Sequence, residues 1–231
     1  MKKVLITGGN SGLGLEVTKK LLKKGYSVII VGKDINKLNE TKDSIGSSKL
    51  EIIQCDLRSH EDIKDKLSGI KKLDIVINNA GIIAYQKLEE QTPQNIKDIV
   101  DTNLLGTIFV TRQLLPTLKK QNSGIIMNIS STSGLMTGGH PDECVYVASK
   151  FGVTGFTETL KKELKAQKAN IRVLGFYPGG MNTELFSKAG LNKDTEKFMD
   201  PTEIAEVIVF ILERPEGINL DHVVVNRNKN L

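Results

Sequence analysis

The sequence predicts an α/β fold in which a parallel sheet is covered by helices on both faces. Short β-branched runs alternate with amphipathic stretches along the chain, the pattern of β–α–β units and not of hairpins. The strand candidates are apolar without interruption, which suits strands buried on both faces. The first of them, Val4-Leu5-Ile6, runs straight into Thr7-Gly8-Gly9-Asn10-Ser11-Gly12-Leu13-Gly14, a glycine turn that opens a helix.

The elements follow in order. Val4–Thr7 is the first strand and Leu13–Lys24 its helix; Val28–Val31 is the second strand, followed by a helix at Ile35–Ile45 that Asp34 is placed to cap. Ile52–Cys55 leads to Glu61–Leu67, Ile75–Asn78 to the long stretch Pro93–Lys120, and Ile125–Ser130 to Val147–Lys168. Ile171–Tyr177, Pro201–Leu212 and Val223–Val225 complete the series, before the polar tail Asn226–Leu231. Crossovers between parallel strands should be right-handed. With no repeat, low-complexity tract or linker, residues 1–231 are expected to form one domain, long enough to bury a substantial core.

Composition narrows the function classes. Hydrophobic residues at 39% and charged residues at 26% are ordinary for a soluble globular protein. Two cysteines, Cys55 and Cys144, imply no disulfide framework and fit a reducing compartment. After Met1-Lys2-Lys3 the apolar run stops at Thr7-Gly8, too soon for a signal peptide, and no run approaches membrane-spanning length. A cytoplasmic protein with no membrane partner is expected. The net charge of +5 and pI near 9.0 come from lysines at helical spacing, Lys19, Lys20, Lys23 and Lys24, then Lys161, Lys162, Lys165 and Lys168. No aromatic residues alternate with them, so they read as solvated helix faces and not as a nucleic-acid surface. His60, His140 and His222 are too scattered for metal ligation, and no metal is expected. His140 and Cys144 read as a loop histidine and a buried thiol, with a place flanking a substrate entrance as the alternative.

Two features carry chemistry. In the glycine turn, Gly8 permits the sharp bend, Gly12 lets backbone approach a pyrophosphate, and Gly14 lets helix pack on strand. The helix N-terminus then faces the anion with unpaired N–H groups. Its spacing, G-x-x-x-G-x-G, differs from the general dinucleotide fingerprint. Tyr146 and Lys150 stand four apart, on one helix face and about 6 Å apart along its axis. A phenol ionises near pH 10, and a neighbouring ammonium favours the phenolate, moving the group toward the range useful for proton transfer.

Taken with Asn78-Asn79-Ala80-Gly81, Asn103, Ser130-Ser131 and Pro178-Gly179, these motifs fall in the order found in short-chain dehydrogenases/reductases, which the chain resembles from Lys3 to about Val225. The resemblance implies a seven-stranded doubly wound Rossmann sheet with a substrate-covering segment at about 181–200. It implies hydride transfer between a nicotinamide cofactor and a carbonyl or alcohol substrate. Tyr146 would be the general acid and base, Ser131 would hydrogen-bond the reacting oxygen, and Lys150 would lower the Tyr146 pKa and hold ribose hydroxyls. Asn103 would support a water-linked proton relay, or is a helix-interior asparagine bonded to local backbone. Gly8, Asn10, Ser11, Gly12, Leu13 and Gly14 would cradle the cofactor phosphates; Asp56 and Leu57 would meet the adenine; Asn79, Ala80 and Gly81 would shape the ribose site. Pro178, Gly179, Met181 and Thr183 would anchor the nicotinamide end. Leu185, Phe186, Phe198 and Met199 read as an apolar lid or as core contacts of short helices.

Ser131 sits in the expected Asn-Ile-Ser-Ser setting, but Ser133 lies nearer the family's spacing to Tyr146; Gly138–Glu143 reads as a small insertion that keeps Ser131 preferred. At the end of the second strand, Gly32 leaves room and Lys33 offers a cation for a 2′-phosphate. Asp34 is the opposing feature, unless it caps the following helix. NADP(H) is therefore preferred, with NAD(H) possible. The chain end lacks the glycine-rich finish common in relatives, whereas the apolar faces of Pro93–Lys120 and Val147–Lys168 suggest a homodimer or homotetramer. A catalytically silent nucleotide sensor acting through a protein partner is the alternative, and an intact Tyr146, Lys150, Ser131 and Asn103 favours the enzyme.

Overall fold

A computed structural model describes residues 1–135, 140–189 and 197–228 of the chain. Its strands are β1 (Lys3–Thr7), β2 (Ser27–Gly32), β3 (Leu50–Gln54), β4 (Ile75–Asn78), β5 (Gly124–Ile129), β6 (Ile171–Pro178) and β7 (His222–Val225). They form one sheet, ordered β3-β2-β1-β4-β5-β6-β7, in which every neighbouring pair is parallel. Growth of the sheet reverses between β1 and β4, and such a switch point leaves a crevice at the carboxyl ends of the strands.

The helices are α1 (Gly12–Lys23), α2 (Ile35–Ile45), α3 (His60–Leu67), α4 (Pro93–Val100), α5 (Gly106–Gln121), α6 (Cys144–Ala166), α7 (Leu185–Lys188) and α8 (Pro201–Leu212). Side chains alternate along each strand, so the two faces bury separate clusters. Val4 and Ile6 pack with Leu13, Val17 and Leu21 of α1 and Ile204 and Ile208 of α8. Leu5 faces the other way, among Val110, Leu114 and Leu118 of α5 and Leu160 and Leu164 of α6.

Departures from the sequence expectation are local. The third strand starts at Leu50, not Ile52, because it pairs with β2 from Leu50 onward and the edge of the sheet tolerates the exposed Glu51. The stretch Pro93–Lys120 is not one α-helix: a π-helical turn at Asp101–Leu105 separates α4 from α5. Asn103 lies in that turn. Helix α6 begins at Cys144, three residues before the expected start. Cys144 is exposed and not a buried thiol, because it opens the helix on its outer face; Cys55 is buried.

The lysine runs meet carboxylates across the surface: Lys20 with Glu206 at 2.7 Å, Lys24 with Glu213 at 3.0 Å, Lys161 with Glu158 at 2.7 Å. No helix among the described residues is long and apolar enough to cross a membrane.

Asp34 is the N-cap of α2, its Oδ1 accepting the N–H groups of Asn36 at 3.0 Å and Lys37 at 3.2 Å. Asp34→Ala is therefore expected to cost about 1 kcal/mol. In a chain of this size that lowers the melting temperature by about 2–4 °C, readable by calorimetry; an unchanged transition would leave the carboxylate without this structural task.

Candidate active site

A cleft of about 1510 Å³ runs along the carboxyl ends of the strands, from the glycine turn to Phe186 and Phe198. Of the site residues expected from the sequence, all but Gly14 and Asn103 line it.

At one end, Gly8 and Gly12 adopt φ of +65° and +48°, in the left-handed region that side chains with a Cβ rarely enter. Ser11 is the N-cap of α1 yet makes no side-chain hydrogen bond to it, and no acidic residue stands in the first turn. The helix end is thus left to an external acceptor, which suits an anionic group. Thr7, which opens the glycine motif but was given no role from the sequence, ties two loops together: its hydroxyl accepts the N–H groups of Asn79 and Ala80, both at 3.0 Å, while Asn79 Nδ2 donates to the Thr7 carbonyl at 2.9 Å. A side chain at Gly12 would meet Thr183 at 3.4 Å, so the segment after β6 faces the glycine turn.

Lys33, Lys37 and Arg58 line the outer rim, with Asp56 and Asp98 among them. Asp56 caps no helix, since Ser59 Oγ caps α3 by accepting the Asp62 N–H at 3.1 Å. The Asp56 carboxylate instead accepts from Arg58 Nη2 at 2.6 Å and Nε at 3.0 Å, and these bonds hold it below its usual range. Arg58 also reaches Asp98 at 2.9 Å.

Deep in the cleft, α6 presents Tyr146 and Lys150, which are 8% and 4% exposed. The Ser131 side chain is close enough to the Tyr146 phenol to favour its ionised form. Ser133 does not take that place; its backbone N–H donates to Ser131 Oγ at 3.1 Å and holds that side chain. Lys150 Nζ donates to the Ile129 carbonyl at 3.0 Å and lies 5.7 Å from the centre of the Tyr146 ring. The expectation that Lys150 lowers the Tyr146 pKa fails in direction here. Burial pushes the phenol up to about 12, and the Glu143 charge adds to it, against a lowering by Ser131. Burial likewise brings the Lys150 ammonium down to about 8.

The Asn103 amide does not bond to its own helix. Its Oδ1 accepts the Ile82 N–H at 2.8 Å, and its Nδ2 donates to the Ile82 carbonyl at 2.9 Å and to Ser149 Oγ at 3.0 Å. The π turn, with Thr107 Oγ1 on the Asn103 carbonyl at 2.9 Å, aims the amide at that distant strand-end loop. A methyl group at Gly81 would stand 3.4 Å from both Asn103 Oδ1 and Lys150 Nζ, so the amide braces the wall beside the lysine.

The far end is aromatic. Tyr85 lies 5.6 Å from His140 and 6.1 Å from Phe186, which meets Phe198 at 5.2 Å. Leu185, Phe186 and Phe198 line the cleft, whereas Met199 packs on the core and forms a bridge with Met181. Residues 190–196 of the expected covering segment, Gly138 and Gly139 of the expected insertion, and residues 229–231 of the tail lie outside the described residues. Glu143 is buried at this end and lines the cleft, and its charge, after burial itself, pushes the Tyr85 phenol up. Sequence reading missed Tyr85, Glu143 and Arg58, which belong to no motif. Among the described residues, no three His, Cys, Asp or Glu side chains are grouped as metal ligands would be.

Known proteins share this architecture. The family model described as short chain dehydrogenase matches residues 2–194. An uncharacterized oxidoreductase of Staphylococcus aureus is 29% identical over 229 residues, covering 97% of this chain and 96% of its own. The closed form of a serine dehydrogenase complexed with NADP+ superposes with a TM-score of 0.87 at 27% identity, over 96% of this chain and 94% of that one. A 3-ketoacyl-(acyl-carrier-protein) reductase from Brucella melitensis complexed with NADH gives a TM-score of 0.84 at 28% identity, over 97% and 96% of the two chains.

Proposed function

The chain belongs to the short-chain dehydrogenase family and is an oxidoreductase, and from that premise we propose that it moves a hydride between NADP(H) and a carbonyl or alcohol substrate, with Tyr146 as general acid and base. The observation that carries this reading is the convergence of Ser131, Tyr146 and Lys150 on one cleft whose other end is the uncapped N-terminus of α1. When bound, the dinucleotide supplies or accepts the hydride.

The residues present fit that group. The amides around Gly8, Asn10, Ser11, Gly12 and Leu13 would hold the phosphates, with Gly14 keeping α1 close. Asp56 and Leu57 would border the adenine, and Asn79, Ala80 and Gly81 its ribose. Lys150, a buried ammonium with one backbone acceptor, has donors to spare for ribose hydroxyls. Pro178, Gly179, Met181 and Thr183 would border the nicotinamide end.

In the reducing direction Tyr146 donates its phenolic proton to the carbonyl oxygen, and Ser131 donates a hydrogen bond to the same oxygen as charge gathers on it. In oxidation Tyr146 takes that proton back. Lys150 keeps an ammonium 5.7 Å from the centre of the phenol ring as the proton moves. Asn103 is a positioning residue that fixes the Ile82 loop beside Lys150. Residues 1–231 act as one catalytic domain in this reading, with 181–200 closing over the substrate. The test is oxidation of NADPH by the purified chain across a panel of small and medium carbonyls, followed by the absorbance of the reduced nicotinamide. No carbonyl-dependent rate across the panel would overturn it and favour a silent sensor.

Cofactor choice follows from the rim. Asp34 is occupied by α2, so Lys33 is the group offered to a 2′-phosphate at the end of β2. Lys33→Ala should weaken NADPH binding about 10-fold, the worth of one charge-assisted hydrogen bond, and NADH binding far less. Fluorescence titration reads both. Equal or tighter NADH binding by the parent chain sinks the preference.

A further inference from the structure

Glu143 is a charge in this cleft that the chemistry above leaves unused. It is 6% exposed and sits at the N-cap of α6, yet its side chain makes no capping hydrogen bond. The carboxylate instead lines the cleft together with Tyr85, whose phenol its charge pushes up. Among the described residues no lysine, arginine or histidine forms a salt bridge with it. Removing a carboxylate from water is costly unless it is paired, so a buried side chain of this kind calls for a cation.

Position defines where that cation belongs. Glu143 immediately precedes α6 and Tyr146 lies in its first turn, three residues on, near enough for the Glu143 charge to act on the phenol. The aromatic rings of Tyr85, Phe186 and Phe198 stand at the same end of the cleft. Such faces accept an ammonium and exclude a second anion.

We propose that the substrate carries a protonated amine one or two carbons from the reacting carbinol or carbonyl carbon, and that Glu143 is the residue that selects it. This rests on the oxidoreductase reading of the same cleft. It also accounts for an apparent fault in the site: the Glu143 charge opposes ionisation of Tyr146. An ammonium seated on Glu143 cancels that opposition, so an amine-bearing alcohol eases the ionisation of its own proton acceptor.

The test compares 1-aminopropan-2-ol with butan-2-ol, which replaces the ammonium by a methyl group. With NADP+ and the full chain, kcat/KM for the amine should exceed that for the neutral alcohol by about 10- to 100-fold, the range of a buried charge pair. In Glu143→Gln the ratio should fall to about one, and in Glu143→Asp, which keeps the charge on a shorter arm, it should lie between. Calorimetric titration of the two alcohols into the chain without cofactor gives a second readout, with heat of binding for the amine alone and its loss in Glu143→Gln. Equal kcat/KM values for the two alcohols, or a ratio unmoved in Glu143→Gln, would overturn the proposal while leaving the oxidoreductase reading intact. Absence of turnover with either alcohol and with every carbonyl of the panel counts against the enzyme reading. The titration then still decides the amine site: equal heats for the two alcohols overturn it.

Discussion

Replacing Tyr146 by phenylalanine is expected to lower kcat/KM for carbonyl reduction by about 10²–10⁴-fold, the usual worth of a positioned proton donor. Ser131 remains to polarise the oxygen, but its hydroxyl has no base beside it and cannot hand over a proton at neutral pH. The loss should sit in catalysis and not in folding. Removing one buried hydroxyl costs about 1 kcal/mol, and its neighbour Ser131 keeps the Ser133 N–H. The pH profile gives a second, independent readout. Burial holds the phenol up to about 12, so the protonated form needed for reduction prevails well past neutrality. Reduction should therefore be flat in pH with respect to this group and fall only in strong alkali. Oxidation needs the phenolate and should rise with pH, and in Tyr146→Phe that rise should vanish. An unaltered rate in the variant would sink the proposed chemistry.

The balance around Tyr146 explains why spacing alone misjudged its pKa. At 5.7 Å and an effective dielectric of about 20, unit charges on the ring and on Lys150 attract by about 3 kcal/mol. Dehydration of the phenol outweighs that attraction, and the Glu143 charge adds to it. Lys150 is dehydrated as well, and as its ammonium is brought down to about 8, its support fades above that pH. Four residues of helix tell how near two groups lie; they say nothing of how much water either has lost. That depends on Gly81 and on Ile129 and Ser131, which come from two other parts of the chain.

The same distinction marks what could be read from the sequence elsewhere. Strand runs such as Val28–Val31 announce themselves because both faces are buried and every residue is apolar. The edge strand β3 begins earlier than its apolar run because one side of it is wet. The glycine turn is legible since its demands are local, a left-handed φ at Gly8 and at Gly12. The π turn at Asp101–Leu105 is not, because its cause lies 21 residues away in the Ile82 backbone that Asn103 grips. Glu143 is the extreme case. Its sequence setting, Pro141-Asp142-Glu143, looks like an ordinary exposed helix start, and only the fold places it buried in the cleft beside Tyr85.

Gly14→Ala is expected to disrupt nucleotide binding and stability together. The position is helical, so the textual rule that alanine improves a helix would predict a gain of up to about 1 kcal/mol. Space rules otherwise. A Cβ there would stand 2.3 Å from the Gly8 carbonyl oxygen and 2.5 Å from Asn79 Nδ2. Neither is the tip of a flexible chain: one is backbone, and the other is held by the Thr7 carbonyl at 2.9 Å. Either α1 retreats from the turn or the turn opens, and overpacking of this kind costs about 1–3 kcal/mol. Both outcomes shift the amides that would meet the phosphates, so dinucleotide affinity should fall by more than about 10-fold, against a melting temperature lower by several degrees. Gly155→Ala separates the two effects. Gly155 also lies within a helix, α6, but nothing stands within 4 Å of its Cβ position. There the propensity gain should appear undiminished, raising the melting temperature by a few degrees. If Gly14→Ala instead binds NADPH as the parent does and melts no lower, the close contact between helix and turn is not what shapes the phosphate site.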